Sequence, residues 1–256
     1  MSLVLDVQNV TKSFGGLVAV SDFNLKLKAS ELVGLIGPNG AGKTTVFNLL
    51  SGIYKPTQGA ITLCGEDTQK LQPYLFSRRG VSRTFQNIRL FKNMSVLDNI
   101  LVASHQHSHA SMLDAIFLSN KQEKEEHMAR DRALDLLKIF ELQGRANDVA
   151  GSLPYGEQRR LEILRALATQ PKVLLLDEPA AGMNHSETAT LMETIRHIRD
   201  RFKVAVLLIE HDMKLVMGIC ERILVLDYGA TICEGAPEKI KNDPKVIEAY
   251  LGVSHE

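Results

Sequence analysis

The chain has 256 residues, of which 45% are hydrophobic and 23% are charged, proportions that are ordinary for a globular protein. Thirty basic residues balance thirty acidic ones, which argues against a strongly basic nucleic-acid-binding protein. The apolar runs, such as residues 204–209, are far shorter than the ~20 residues that span a bilayer, so we expect any membrane role to be peripheral.

The chain begins with two predicted strands, at 3–10 and 23–29. In the second, apolar residues alternate with polar ones, as one half-buried face requires. Gly15-Gly16 predicts a turn between them. Phe14, just before this turn, is an aromatic that could pack in the core or offer a flat surface to a base. Side-chain chemistry alone favours the core.

A phosphate-binding motif follows the apolar run 32–36 and precedes a helical pattern. Its residues are Gly37, Pro38, Asn39, Gly40, Ala41, Gly42, Lys43, Thr44 and Thr45. The glycines let successive backbone N–H groups turn inward around phosphate oxygens, and the helix N-terminus adds partial positive charge. Lys43 can reach the outer phosphates, and the Thr44 hydroxyl can bind Mg²⁺. A simple glycine-rich turn would not explain Lys43-Thr44 at this offset, so we predict a nucleoside triphosphate site.

The middle of the chain changes from alternating strands and helices to helices alone. Ser95, followed by Asp98 three residues later, is typical of a capped helix start. Residues 95 to about 165 are therefore predicted to form a helical insertion. The elements predicted ahead of the insertion are a helix to about residue 51 and strands at 60–64 and 81–86, and within it a long helix is predicted at 121–142.

Three histidines in this insertion, His105, His107 and His109, invite a metal-binding interpretation. Residues spaced by two share a face only on a strand, whereas the context predicts a helix end or loop. No cysteine or carboxylate pattern joins them. We therefore favour a solvated histidine tract and assign no metal to it.

Alternation of strands and helices resumes after Pro171. The continuous apolar runs at 173–176 and 204–209 are typical of strands covered on both faces. Asp212 is placed to cap a short helix, and Asp243-Pro244 is placed to begin the last one. The remaining predicted elements are a helix at 186–201 and strands at 223–226 and 231–234.

Acidic and histidine side chains follow the two buried strands. In parallel α/β sheets ligands lie at the carboxyl ends of the strands, which is where Asp177, Glu178 and His211 fall. Asp177 can hold Mg²⁺ opposite Thr44, and Glu178 can act as general base toward the attacking water. Any one of the three could be a helix cap or surface charge, but together with a phosphate loop they predict an active site.

One further stretch, Leu153-Pro154-Tyr155-Gly156-Glu157, lies just ahead of the acidic strand. With it, the chain resembles the ATP-binding subunits of ABC transporters over essentially its whole length. The matching parts, in order, are the phosphate loop, Gln86 at the Q-loop position, the signature at 153–157, Asp177 with Glu178, and His211 of the switch loop.

The resemblance implies ATP and Mg²⁺ as cofactors and adds residues to the site. It makes Phe14 a candidate for stacking on adenine, which reverses the preference for the core. It assigns Gln86 to the metal and to catalysis, beside Glu178 and His211. It also assigns Tyr155, Gly156 and Glu157 to nucleotide binding across a dimer.

The resemblance also implies an architecture and an assembly. The fold is expected to be α/β, a P-loop NTPase core of mixed, mainly parallel sheet with an antiparallel β subdomain and an inserted α-helical subdomain. We expect one ATPase domain over 3–254, with the helical signature subdomain at 95–165. Expected partners are a second ATPase subunit in a homo- or heterodimer, two transmembrane permease subunits and, indirectly, a periplasmic solute-binding protein. Nucleic acid is not expected, and the protein is placed at the cytoplasmic face of the inner membrane.

Within the family, the stretches 177–184, 209–217 and 246–252 look like those of branched-chain amino acid uptake systems, and the insertion is similar to that of their larger ATPase subunit. Hydrolysis of ATP would then energise uptake. Two rival classes remain: a soluble ABC-type ATPase acting on nucleic acid or ribosomes, and a binding module that hydrolyses little. An importer of another solute, such as urea or amides, is a further alternative.

Two departures from the family pattern stand out. Pro154 replaces the signature serine and Tyr155 its first glycine, while Asn184 stands where aspartate is common. Because proline has neither a hydroxyl nor a backbone N–H, the usual serine contact to the γ-phosphate cannot form. Gly156 and the following helix N-terminus are left as the anion-binding elements, and the cross-dimer contact of residue 184 is placed in doubt.

Overall fold

The computed structural model describes residues 2–105 and 120–251. Its strands are β1 (Leu3–Phe14), β2 (Leu17–Lys28), β3 (Leu32–Ile36), β4 (Gln58–Leu63), β5 (Glu66–Asp67), β6 (Val81–Arg83), β7 (Val173–Asp177), β8 (Ala205–Ile209), β9 (Arg222–Asp227) and β10 (Ala230–Gly235). Its helices are α1 (Lys43–Leu50), α2 (Pro73–Arg78), α3 (Val96–Ser104), α4 (Asn120–Ile139), α5 (Tyr155–Ala168), α6 (His185–Phe202), α7 (Met213–Ile219), α8 (Pro237–Lys241) and α9 (Pro244–Leu251).

The central sheet positions the site. Its strand order is β10-β9-β3-β8-β7-β6, and all neighbours are parallel except β10 with β9. Every residue of β3, β7 and β8 is buried, because both faces of the sheet are covered. Asp177 pairs with Ile209, and Ile209 pairs with Leu35. The chain therefore leaves β3, β7 and β8 at the same edge of the sheet.

An antiparallel sheet, β2-β1-β4-β5, packs against one face of the central sheet through a shared apolar cluster. Its first two strands are longer than the predicted 3–10 and 23–29. Register shifts follow Val7 and Val10, and Asn9 takes a left-handed conformation with φ of 51°. These bulges interrupt the two-residue alternation, so the sequence pattern understated both strands.

Other boundaries also differ from prediction. Strand β4 covers 58–63 where 60–64 was expected, and α4 ends at Ile139 rather than at 142. Strand β6 ends at Arg83, so the prediction of a strand to Gln86 was wrong. Beyond Arg83, backbone groups of Phe85 and Gln86 bond to side chains of α5 instead of to a neighbouring strand.

The helices α3, α4 and α5 pack together on the other face of the central sheet. The predicted capping pair is confirmed: Ser95 Oγ accepts from the Asp98 N–H at 3.0 Å and donates to Asp98 Oδ2 at 2.7 Å. His105 is exposed just after α3, while His107 and His109 lie outside the described residues. The division into a domain at 3–254 and a helical subdomain at 95–165 stays a prediction. Over the described residues, no helix is long and apolar enough to cross a membrane.

Candidate active site

The phosphate loop leads into helix α1 as its sequence predicts. Gly42 is the N-cap residue, with φ of 99°, and the first helical bond runs from Val46 N–H to Gly42 O at 3.0 Å. The N–H groups of Lys43, Thr44 and Thr45 therefore have no carbonyl partner within the helix. Such amides, together with the helix dipole, make a binding site for phosphate oxygens.

Close backbone contacts fix the shape of this loop. A Cβ on Gly37 would lie 2.1 Å from Leu226 O, and one on Gly42 would lie 2.6 Å from Ala19 O. Gly229, in the turn between β9 and β10, donates its N–H to Ala41 O at 3.0 Å. Only glycine fits at 37 and 42, since the backbones of β9 and β2 touch the loop there.

Lys43 places a cation beneath the loop. Its side chain is 7% exposed, and Nζ donates to the carbonyl oxygens of Gly37 at 2.7 Å and Pro38 at 2.8 Å. Burial lowers the pKa of Lys43, while the nearby carboxylates of Glu178 and Asp177 raise it. The ammonium is thus poorly solvated and would gain from a phosphate oxygen.

Asp177, Thr44 and Gln86 were predicted to hold Mg²⁺. Asp177 is buried at the end of β7, and its Oδ2 accepts from Arg83 at 2.8 Å. Thr44 is exposed in the first turn of α1, and Gln86 is exposed after β6. A carboxylate, a hydroxyl and an amide are the hard oxygen ligands that Mg²⁺ prefers, so these residues fit the ion chemically.

Glu178, Gln86 and His211 come together in the structure. Glu178 Oε1 lies 2.8 Å from His211 Nε2, and Oε2 accepts from Gln86 Nε2 at 3.0 Å. Glu178 itself has φ of 46°, a strained conformation for a residue with a side chain, and its N–H bonds to Ile209 O at 2.9 Å. One carboxylate is therefore held between an amide and an imidazole at the sheet edge.

Glu210 lies beside this group, and no sequence pattern singled it out. It is buried; Oε1 accepts from Ala180 N–H at 2.7 Å and Oε2 from His211 N–H at 3.1 Å. Burial raises the pKa of Glu210, and the backbone N–H donors oppose that rise. The carboxyl thus ties the loop after Glu178 to the residue that contacts Glu178.

The signature forms the start of α5. Pro154 is the N-cap residue without a side-chain cap, and the first helical bond runs from Gln158 N–H to Pro154 O. The amides of Tyr155, Gly156 and Glu157 lack helical partners, and their role in binding an anion stays a prediction. The Tyr155 side chain packs against Gly182, and the residue remains 46% exposed.

Asn184 caps a helix of its own chain. It is the N-cap of α6: its Oδ1 accepts from Glu187 N–H at 3.0 Å, while Glu187 Oε2 accepts from Asn184 N–H at 2.9 Å. This capping box satisfies two backbone donors at the helix start. The capping explains a side-chain oxygen at this position, which asparagine and aspartate supply equally well.

Phe14 does not belong to the core. It ends β1, is 42% exposed and meets the Tyr54 ring edge-on at 5.1 Å between centroids. Lys12 Nζ lies 5.0 Å from the Phe14 ring centroid. The preference for the core from side-chain chemistry alone was wrong, and stacking on adenine stays a prediction.

Several residues of the site were missed. Arg83 pairs with Asp177, the buried Arg159 and Glu162 contact the Q-loop backbone, and Tyr250 of α9 lies near the backbone of Gly37. Burial raises the pKa of Tyr250, and the Gly37 backbone N–H opposes the rise. A sequence signal existed for Arg159 and Glu162, since they share the apolar face of α5 at helical spacing.

Comparison with known proteins yields consistent relatives. The profile of the ABC transporter family matches residues 20–181, and that of the branched-chain amino acid ATP-binding cassette transporter matches residues 230–256. The high-affinity branched-chain amino acid transport ATP-binding proteins BraF of Pseudomonas aeruginosa and LivG of Escherichia coli K12 are each 49% identical, over 97% of this chain and 98% of theirs. The crystal structure of the ADP conformation of MJ1267, an ATP-binding cassette of an ABC transporter, superposes with a TM-score of 0.85 at 29% identity, covering 98% of this chain and 100% of the other.

Proposed function

This chain belongs to the ABC transporter family of ATP-binding proteins, and we propose that it hydrolyses ATP to energise the uptake of branched-chain amino acids. The observation that carries the choice of solute is the 49% identity to BraF and LivG across 97% of the chain. The match of residues 230–256 to a branched-chain cassette profile supports the same solute class. The chemistry of the site supports hydrolysis.

Triphosphate binding is assigned to the loop 37–45. The free N–H groups of Lys43, Thr44 and Thr45 donate hydrogen bonds to phosphate oxygens, and Lys43 exchanges its bonds with Gly37 O and Pro38 O for phosphate. The fixed backbone at Gly37 and Gly42 means that little ordering is required when ATP binds. Phe14 is proposed to stack on the adenine ring.

Hydrolysis is assigned to the cluster around Glu178. Its carboxylate is held by Gln86 and His211 and can accept a proton from the water that attacks the γ-phosphate. His211 Nε2 can also contact the γ-phosphate once Glu178 engages the water. Bound at Thr44, Asp177 and Gln86, Mg²⁺ would neutralise charge on the β- and γ-phosphates.

A second ATPase subunit is proposed to complete each site. The amides of Tyr155, Gly156 and Glu157 have no carbonyl partner within the helix and would bind the γ-phosphate on the partner's loop. The resemblance to branched-chain systems favours a different ATPase subunit as partner. Two permease subunits and, through them, a periplasmic solute-binding protein would make up the transporter, with this subunit on the cytoplasmic face of the inner membrane.

The catalytic assignment is tested with Glu178→Gln, which keeps the size and one hydrogen-bonding oxygen but cannot take a proton. We expect ATP turnover to fall by about 10²–10⁴ while ATP affinity changes little. Glu187→Gln is the matched control, because Glu187 caps α6 instead of joining Gln86 and His211. Turnover by Glu178→Gln at the wild-type rate would sink the assignment.

The solute is tested by uptake. Cells that lack their own branched-chain system, and that express this subunit with its genomic neighbours, should accumulate radiolabelled leucine, and the Glu178→Gln variant should not. Labelled urea and acetamide serve as competing solutes. Uptake of urea or amides without leucine would keep the ATPase and replace the solute, whereas stable recovery of the chain with ribosomes or DNA would contradict the transport role.

A further inference from the structure

An ion pair with almost no exposure lies inside α5, one turn after the signature. Arg159 and Glu162 have side chains that are 0% and 2% exposed, and Arg159 Nη1 lies 2.7 Å from Glu162 Oε2. Burying two charges is costly unless further polar groups satisfy them, and an apolar pair often gives equal or greater stability. The pair therefore calls for an explanation beyond stability.

The partners of Arg159 provide that explanation. Nη1 donates to Phe85 O at 2.5 Å, and Nη2 donates to Gln86 O at 2.8 Å and to Glu178 O at 3.1 Å. One planar guanidinium is therefore hydrogen-bonded to the backbone of both Gln86 and Glu178, whose side chains bond to each other at 3.0 Å.

Glu162 holds the same loop from the other side. Its Oε2 accepts a hydrogen bond from Arg159 Nη1 at 2.7 Å. Its Oε1 accepts from Arg89 N–H at 3.1 Å and from Phe85 N–H at 3.5 Å. The backbone from Phe85 to Arg89 is therefore bonded to α5 through both members of the pair. Since β6 ends at Arg83, no strand pairing performs this task.

We propose that Arg159 and Glu162 are positioning residues for hydrolysis, which hold Gln86 and Glu178 in register with each other and with helix α5. The inference rests on the proposed catalytic role of Glu178. Because α5 begins with the signature residues Tyr155 to Glu157, the helix that contacts the partner's nucleotide also holds the base of its own subunit's site. A shift of α5 is thereby transmitted to the carboxylate through backbone carbonyls.

The main test uses the full-length chain carrying Arg159→Met with Glu162→Gln, which removes both buried charges and keeps an acceptor for the Arg89 N–H. We expect kcat at saturating Mg-ATP to fall by about tenfold to a hundredfold, because a misplaced base costs rate. The loop 37–45 is untouched, so Kd for a fluorescent ATP analogue should stay within about twofold. Arg160→Met is the matched control, since Arg160 bonds only to Phe140 O among the contacts described for it, and should keep the wild-type kcat.

A milder variant covers the case in which the double variant does not fold. Arg159→Lys keeps the charge, but one ammonium cannot span the carbonyls of Phe85, Gln86 and Glu178 together. It should lower kcat, and by a smaller factor in a Gln86→Ala background, because part of its effect passes through Gln86. Equal factors in both backgrounds would overturn the proposal, as would an unchanged kcat or a loss of ATP affinity in proportion to kcat.

Glu178→Gln in the same assays separates the two inferences. If it abolishes turnover while the Arg159 variants behave as wild type, the positioning role alone is wrong. If the Glu178→Gln variant also turns over ATP normally, the catalytic assignment of Glu178, on which both inferences rest, is wrong.

Discussion

Two helix N-termini are proposed to bind the nucleotide, and they differ in how closely the surrounding backbone packs against them. Helix α1 starts at a loop pinned against Leu226 and Ala19, with the buried Lys43 beneath it. Helix α5 starts at the exposed Pro154, with an acidic residue, Glu157, in its first turn. Both have N–H groups without helical partners; a buried cation, Lys43, lies under the first, whereas Arg145 beside the second pairs with Glu157 at 3.5 Å. We therefore propose that the first binds a triphosphate alone and that the second adds to a phosphate presented by another subunit.

The largest expected effect comes from removing that cation. Lys43→Met should weaken ATP binding about a hundredfold, since a charge-assisted bond to phosphate is lost in a poorly solvated site. The melting temperature should not fall, because a desolvated charge is also removed. Nucleotide titration and calorimetry measure the two quantities. Lys138→Met, on the exposed face of α4, is the control, and an unchanged ATP affinity for Lys43→Met would remove the distinction between the helices.

Alanine substitutions at Gly42 and Gly156 test how closely other backbone segments pack against each helix N-terminus. Gly42→Ala forces a Cβ against Ala19 O at φ of 99°, and should lower the free energy of unfolding by at least about 2 kcal/mol and weaken ATP binding by less than Lys43→Met does. At Gly156 the added Cβ meets only the flexible end of Glu187, so Gly156→Ala should change stability by less than about 1 kcal/mol. Urea denaturation of both variants checks the pair, and similar losses would show that the two N-termini are equally confined.

The pH dependence should distinguish Lys43 from an ordinary surface lysine. Burial lowers the pKa of Lys43 below its usual 10.5, so between that lowered value and 10.5 the unfolded chain binds more protons than the folded one. Stability from this group therefore rises with pH across that window. ATP affinity should fall across the same window, by at most about tenfold per pH unit, as the ammonium is lost. Lys43→Met should remove both trends, and parallel changes in stability and affinity would contradict the assignment.

The smallest effects concern the caps. Asn184→Ala removes the capping box of α6 and should cost about 1 kcal/mol of stability. Pro154→Ser supplies a side-chain cap that α5 lacks and should gain about 0.5–1 kcal/mol. Thermal unfolding of the two variants measures both, and a loss of stability in Pro154→Ser would show that proline's rigidity outweighs the missing cap.

The elements and motifs that depend on local spacing were predictable from the sequence. The phosphate loop after β3, the capping of α3 by Ser95 and the placement of Glu178 and His211 at strand ends follow from patterns within a few residues. Strand β1 was predicted too short because its bulges break that local pattern.

Contacts between segments that are distant in the chain could not be predicted from the sequence. The Arg83 pair with Asp177 joins residues 94 positions apart, and Arg159 reaches Gln86 across 73. A charged residue in a helix usually lies at the surface, so composition alone argued against burying Arg159 and Glu162. Only their shared position on the apolar face of α5 indicates that they are buried, and it does not identify the groups to which they bond.

The proximity of Tyr250 to Gly37 makes helix α9, the last described helix, a suitable place for a dye that reports nucleotide binding. Helix α9 ends at the exposed Leu251, next to a tyrosine that lies near the first residue of the phosphate loop. A dye would attach selectively to Leu251→Cys in a chain whose exposed Cys64 is replaced by serine, because Cys220 and Cys233 are buried, and it would sit one residue from that tyrosine. Its emission should change when nucleotide fills the loop, which would allow each turnover to be followed without labelling ATP.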